Sequence, residues 1–106
     1  MNAVFHVSTT EQLSYVDAKV ENLLADESVA VEEVAVVLDA PGPIEAAVGR
    51  LSEVPEAILE AGGAVLVCSN ALGGADAELP AGLERVSSGV GTLTRLQDRG
   101  YAYIRP

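Results

Sequence analysis

Cys68 is the only cysteine in the chain, and its place in the sequence suits chemistry. It closes the apolar run 64–68, and residues 69–73 predict the start of a short helix. A thiol at the carboxyl end of a parallel strand lies on the side of the sheet where ligands usually bind. The partly positive N-terminus of a following helix favours the thiolate. Sulfur chemistry is therefore the leading hypothesis, and the alternative is that Cys68 packs as a small buried side chain.

Four other residues could contact a ligand near Cys68. Ser69 and Asn70 follow it directly and could orient a sulfur or an anion above the thiol, although both are also natural helix caps. His6 could act as a base or donor beside Cys68 if their two strands are neighbours, and otherwise binds one backbone partner. Ser8 ends the same strand as His6, at the ligand edge, although helix capping also explains it. One cysteine and one histidine are too few for a metal site, so neither a metal nor another cofactor is expected.

Length and charge limit the classes of function. The 106 residues predict one domain, 1–106, with one core. Sixteen acidic against six basic residues give a net charge of −10, which argues against nucleic acid as a partner. An acidic surface poor in lysine is typical of adaptation to a cytoplasm of high salt, where screening weakens self-repulsion. The lone cysteine fits a reducing compartment, and no apolar run approaches the ~20 residues of a membrane span, so the cytoplasm is the expected location.

Predicted strands and helices alternate along the chain. The strands are expected at 4–7, 34–38, 64–68, 83–86 and 101–104. The spacing of Ser8 and Glu11 predicts a capping box before the first helix, and Pro43 suits the first position of the second. Ser87 or Ser88 caps the last helix, and residues 73–78 predict a loop. This order predicts an α/β fold, a three-layer α/β/α sandwich around a five-stranded, mainly parallel sheet.

Two helices carry apolar stripes at helical spacing. Apolar residues spaced three and four apart lie on one face of a helix, so each stripe is predicted to face the core. In the first helix these are Leu13, Val16, Val20, Leu23 and Leu24, and in the last they are Val90, Leu93 and Leu96.

Three stretches together resemble the DsrE/DsrF-like (YchN-like) family, and the resemblance runs nearly end to end. They are the opening strand 4–7 with its Ser/Thr turn, the segment Cys-Ser-Asn-Ala-Leu at 68–72, and the tail from residue 88. That tail reads Ser-Gly-Val-Gly … Leu-Gln … Gly-Tyr-Ala-Tyr-Ile-Arg-Pro. The small stand-alone members of the family are the most similar.

The resemblance implies a small parallel-sheet domain that assembles into homotrimers or homohexamers. In the sulfur-trafficking members a cysteine accepts a sulfane sulfur as a persulfide and passes it to a partner protein. Cys68 lies at the cysteine of the family's Cys-x-Asn motif. Two functions are therefore expected. One is a persulfide carrier, more carrier than turnover enzyme, with donor and acceptor proteins as partners. The other is a non-catalytic oligomeric module that binds a small ligand, with Cys68 inert.

Overall fold

The computed structural model describes residues 1–72 and 78–106. The predicted loop at 73–78 falls outside the described residues except for Glu78. The elements, in chain order, are β1 (Asn2–Val7), α1 (Thr10–Ala25), β2 (Glu33–Leu38), α2 (Pro41–Val48), α3 (Glu53–Glu60), β3 (Ala64–Cys68), β4 (Leu83–Val86), α4 (Gly89–Asp98) and β5 (Ala102–Ile104).

The five strands form one sheet in the order β4-β3-β2-β1-β5, and every neighbouring pair is parallel. Strands β1 to β4 follow one another across the sheet in one direction. The chain then crosses back, and β5 pairs with the opposite side of β1. The α/β class and the five-stranded parallel sheet are confirmed. The central strands read as unbroken apolar runs because helices cover both of their faces.

The helices form two unequal layers. Helices α1, α2 and α3 pack on one face of the sheet, over the buried side chains of the larger core cluster, which includes Phe5, Val36 and Val67. On the other face, α4 is the one helix of the described residues, and it packs over Val4, Ala35, Val37 and Leu66.

Two of the three predicted helix starts are shifted. Thr9 caps α1, because its hydroxyl accepts from the backbone N–H of Gln12 while the Gln12 side chain bonds back to the Thr9 N–H. The box is therefore Thr9–Gln12 and not Ser8–Glu11, since glutamine serves the third position as well as glutamate. Helix α2 begins at Pro41, which takes the first position predicted for Pro43. Ser88, one of the two predicted caps, accepts from Gly91 at the start of α4.

The apolar stripes are correct except for one residue in each. Leu13, Val16 and Val20 are buried in α1, whereas Leu24 is exposed. Leu93 and Leu96 are buried in α4, whereas Val90 is 69% exposed. No helix in the two described ranges combines the length and the apolar character needed to cross a membrane.

The short helix predicted to start at 69–73 does not begin within 69–72, and Gly73 lies outside the described residues. Residues 69–72 form a hydrogen-bonded turn in which the Leu72 N–H bonds to the carbonyls of Cys68 and Ser69, at 3.3 and 3.2 Å. The Ser69 N–H instead extends the sheet, because it donates to the Val86 carbonyl at 2.8 Å.

Candidate functional site

The carboxyl ends of β1, β2 and β5 bring polar side chains together on the α4 face. Val4 is level with Tyr103, and His6 is level with Val37. Because side chains alternate along a strand, His6, Tyr103 and the residue after β2, Asp39, all point to this face. Three segments far apart in sequence therefore meet at one edge of the sheet.

His6 is held between two side chains. Its Nε2 lies 2.5 Å from Asp39 Oδ2, and its Nδ1 lies 2.5 Å from the Tyr103 hydroxyl. The His6 and Tyr103 rings meet edge to face with centroids 5.6 Å apart. The ring of His6 is thus fixed in orientation by both of its nitrogens.

Arg105 determines which nitrogen of His6 carries the proton. Its Nη1 lies 2.8 Å from His6 Nδ1, and a guanidinium only donates, so Nδ1 must accept. The Nε2 of neutral His6 therefore carries the hydrogen and donates to Asp39. The same Arg105 nitrogen also donates to the oxygens of Ser8 and Tyr103, both at 3.3 Å.

Ser8 completes this group, which we call the edge cluster: His6, Ser8, Asp39, Tyr103 and Arg105. The Ser8 hydroxyl oxygen lies 3.2 Å from His6 Nε2, and the Ser8 N–H donates to Gln12 at 2.8 Å. The Ser8 backbone therefore supports the start of α1 while its side chain faces the cluster.

Cys68 ends β3 on the same sheet face but lies below the surface. It is only 6% exposed. A Cβ placed on Gly89 would come within 3.4 Å of the Cys68 Cβ and 2.8 Å of the Asp39 Cβ. Gly89 is the first residue of α4, so the helix N-terminus that faces Cys68 belongs to α4 and not to the segment that follows Cys68.

Asp39 lies between Cys68 and His6. Strand β2 separates β1 from β3, so the strands of His6 and Cys68 are not neighbours, and His6 is not a base beside the thiol. Oδ1 of Asp39 is buried without a hydrogen-bond partner among the described residues. Asp39 also lies beside Gly89, the first residue of α4, so the N-terminus of that helix is directed toward this end of the sheet.

Ser69 and Asn70 do not cap a helix, since none begins there. Ser69 is half-buried and Asn70 is exposed, both in the turn after Cys68. They remain the residues next to the thiol along the chain. The structure thus separates the predicted site residues into two groups, with His6 and Ser8 in the edge cluster and Ser69 and Asn70 beside Cys68.

Sequence reasoning missed three members of the edge cluster. Asp39, Tyr103 and Arg105 are not among the predicted site residues, although Tyr103 and Arg105 lie in the tail that resembles the DsrE/DsrF-like family. The signal that could have found them is the two-residue period. His6 and Ser8 are two residues apart at the end of β1, and Tyr103 and Arg105 are two residues apart at the end of β5. Residues at this spacing share one face of a sheet.

Other possible sites lie elsewhere. Within residues 1–72 and 78–106, no three His, Cys, Asp or Glu side chains are arranged to hold a metal ion. A depression of about 280 Å³ at the amino-terminal edge of the sheet is lined by Glu33, Gly63 and Tyr101, among others. Another of about 360 Å³ lies between the starts of α1 and α2 and includes Thr10 and Arg50. Neither contains Cys68 or a residue of the edge cluster.

Fold and site together define a parallel α/β sandwich with polar side chains at the carboxyl edge of its sheet. No protein-family model matches the chain. No curated protein matches it either. Among solved structures, it is similar to MTH1491 from Methanobacterium thermoautotrophicum, a protein of unknown function. The two are 33% identical with a TM-score of 0.78, over 99% of this chain and 98% of MTH1491. The chain therefore belongs to the same family as MTH1491.

Proposed function

We propose that this protein is a DsrE/DsrF-like sulfur carrier of the cytoplasm in which Cys68 holds a transient persulfide. The observation that carries the proposal is the position of Cys68. It ends an inner strand at the ligand edge of the sheet and lies close to Gly89, the first residue of α4. The partners required are a sulfur donor protein and an acceptor protein, and the family resemblance adds copies of the chain itself, as a homotrimer or homohexamer.

The transfer consists of two thiol–persulfide exchanges. The Cys68 thiolate attacks the outer sulfur of a donor persulfide, the S–S bond of the donor breaks, and the donor leaves as a thiolate. An acceptor thiolate then attacks the outer sulfur on Cys68, and the Cys68 thiolate departs. One S–S bond forms and one breaks in each step, so neither step needs an external oxidant or reductant.

The surroundings of Cys68 support this chemistry in one respect and restrict it in another. The backbone N–H groups at the start of α4 favour negative charge on the departing sulfur. However, Asp39 is in contact with the same residue, Gly89, and its carboxylate opposes a second negative charge nearby. With 6% of Cys68 exposed, exchange also requires local opening above the thiol.

Intact-mass spectrometry tests the carrier directly. The native protein is incubated at high salt with a low-molecular-weight persulfide, and the mass is recorded before and after reduction. We expect a gain of one sulfur atom that reductant removes and that Cys68→Ser lacks. Because Cys68 is the only cysteine, every thiol label reports on this residue. No gain in the native protein would contradict the carrier.

The burial of Cys68 favours a second candidate, a non-catalytic oligomeric module that binds a small ligand and leaves the thiol inert. In that case an alkylating reagent labels Cys68 only after unfolding. Cys68→Ser would then affect only the packing around the side chain and lower the free energy of unfolding by less than about 1.5 kcal/mol. Labelling of the folded protein at a rate well above that of unfolding would exclude the inert thiol.

A further inference from the structure

The edge cluster occupies the point in the sheet where the strand order reverses. Strands β2, β3 and β4 lie in succession on one side of β1, and β5 lies on the other. In open parallel sheets, ligands bind outside the carboxyl ends of the strands at such a point. His6 and Ser8 come from β1 and the residue after it, and Tyr103 and Arg105 from β5 and the residue after it. The two strands that define the reversal thus supply four of the five side chains.

Arg105 presents unused donors at this point. All its hydrogen bonds within the described residues use one nitrogen, Nη1, and all go to uncharged groups. Nη2 and Nε therefore have no partner in the described part of the chain. No salt bridge within the described ranges involves Arg105, and with neutral His6 the His6–Asp39 contact is a hydrogen bond, so no carboxylate there neutralises the guanidinium. In a chain with sixteen acidic residues, an exposed arginine held by neutral partners is a notable arrangement.

Asp39 and His6 form a chain of hydrogen bonds that leads to Arg105. Because Asp39 accepts from Nε2, the lone pair of His6 stays on Nδ1 and faces Arg105. The negative charge of Asp39 lies on the inner side of the ring, toward the start of α4, and not on the side of the guanidinium. The outer side of the cluster consequently offers N–H and O–H groups with one positive charge.

The geometry points to a binding site for a small oxyanion at the junction of β1 and β5, independent of Cys68. The Nη2–H and Nε–H groups of Arg105 are a fork that matches two oxygens of a carboxylate, sulfate or phosphate group. The Ser8 hydroxyl can add a hydrogen bond, whereas the Tyr103 O–H donates to His6 Nδ1 and helps to hold the cluster. His6 and Asp39 are positioning residues that hold the guanidinium in place. The net charge of −10 repels anions in general, so binding must come from this local arrangement.

The single histidine of the chain makes the test specific. Sulfate, whose charge does not change near neutral pH, is titrated at constant ionic strength while NMR follows the His6 ring and the Arg105 side-chain N–H signals. We expect saturable shifts of both. A parallel titration with acetate shows whether planar carboxylates bind as tetrahedral oxyanions do, and saturation by either anion supports the site.

Arg105→Gln and Arg99→Gln form a matched pair, since both remove one exposed arginine charge. Arg99 follows the end of α4, about 15 Å along the helix from its start at the cluster edge. Arg105→Gln should raise the dissociation constant about tenfold or more, because a charge-assisted pair of hydrogen bonds is lost. Arg99→Gln should change it by less than about twofold at moderate salt. No saturable shift in the natural protein, or equal effects of the two variants, would overturn the proposal.

Discussion

His6 Nε2 donates to Asp39 Oδ2 at 2.5 Å, across two neighbouring strands whose residues are 33 positions apart in sequence. This bond links the buried side of the sheet edge, where Asp39 contacts the start of α4, with its exposed side at Tyr103 and Arg105. Arg105 can only donate, so His6 Nδ1 accepts from Arg105 and His6 Nε2 is the nitrogen that donates to Asp39.

The tautomer of His6 is the first prediction. In the neutral ring the hydrogen should reside on Nε2, because Nδ1 accepts from Arg105 and Tyr103. Two-bond ¹H–¹⁵N correlation spectra distinguish the two tautomers, and a single histidine gives one unambiguous set of signals. Asp39→Ala removes the acceptor and should reduce the Nε2–H population. A natural protein with the hydrogen on Nδ1 would contradict the geometry described for Arg105.

Gly89→Ala tests the close approach of α4 to the sheet edge. Its Cβ would lie 2.8 Å from the Cβ of Asp39, so a backbone shift is required. We expect a loss of about 1 to 3 kcal/mol in the free energy of unfolding. Gly91→Ala is the control, since the nearest atom to its Cβ is 3.4 Å away, and it should be neutral or stabilising by about 0.5 to 1 kcal/mol. Chemical denaturation measures both, and equal effects would show that the contact is not tight.

Thr9→Ala tests the helix cap that differs from the sequence-based expectation. The Thr9 hydroxyl accepts from the Gln12 N–H at 3.1 Å, so its loss should cost about 1 kcal/mol. Ser14→Ala, on the exposed surface of the same helix, should be neutral or slightly stabilising because alanine has the higher helix propensity. If Thr9→Ala left the unfolding midpoint unchanged, the Thr9–Gln12 box would contribute nothing.

Tyr101 and Glu33 predict an alkaline pH dependence. The Tyr101 hydroxyl donates to Glu33 Oε2 at 2.5 Å, and this bond to a carboxylate raises the pKa of Tyr101 above its ordinary value of 10.0. A raised pKa in the folded state means that the stabilisation is complete below the ordinary tyrosine pKa. It is lost as the pH rises through the folded-state value.

Ultraviolet titration of tyrosine ionisation checks this, with Tyr101→Phe to assign the transition. Glu33→Gln should lower the pKa of Tyr101 toward its ordinary value, because the carboxylate that disfavours the phenolate is gone. Glu32→Gln, one residue earlier and also exposed, removes the same charge without a bond to Tyr101. An unchanged transition in Glu33→Gln would show that the hydrogen bond is not formed in solution.

The sequence determined the class of fold and most of its elements. The unbroken apolar runs at 34–38 and 64–68 form strands. A strand that is buried on both faces needs apolar side chains at every position, so its burial can be predicted from the local sequence. The sequence did not determine where the first two helices begin or that a turn follows Cys68. Several residues near each predicted start can cap a helix, and the bond from the Ser69 N–H to the Val86 carbonyl joins segments that are far apart in sequence.

Only the tertiary structure decided the site. The sequence singled out Cys68, His6 and Ser8 from residue type and strand position, but it could not order the strands. That order places β2 between His6 and Cys68, and it places β5, with Tyr103 and Arg105, on the other side of β1. Pairing of parallel strands depends on contacts between segments far apart in the chain, and local sequence carries no signal for which strand takes which neighbour.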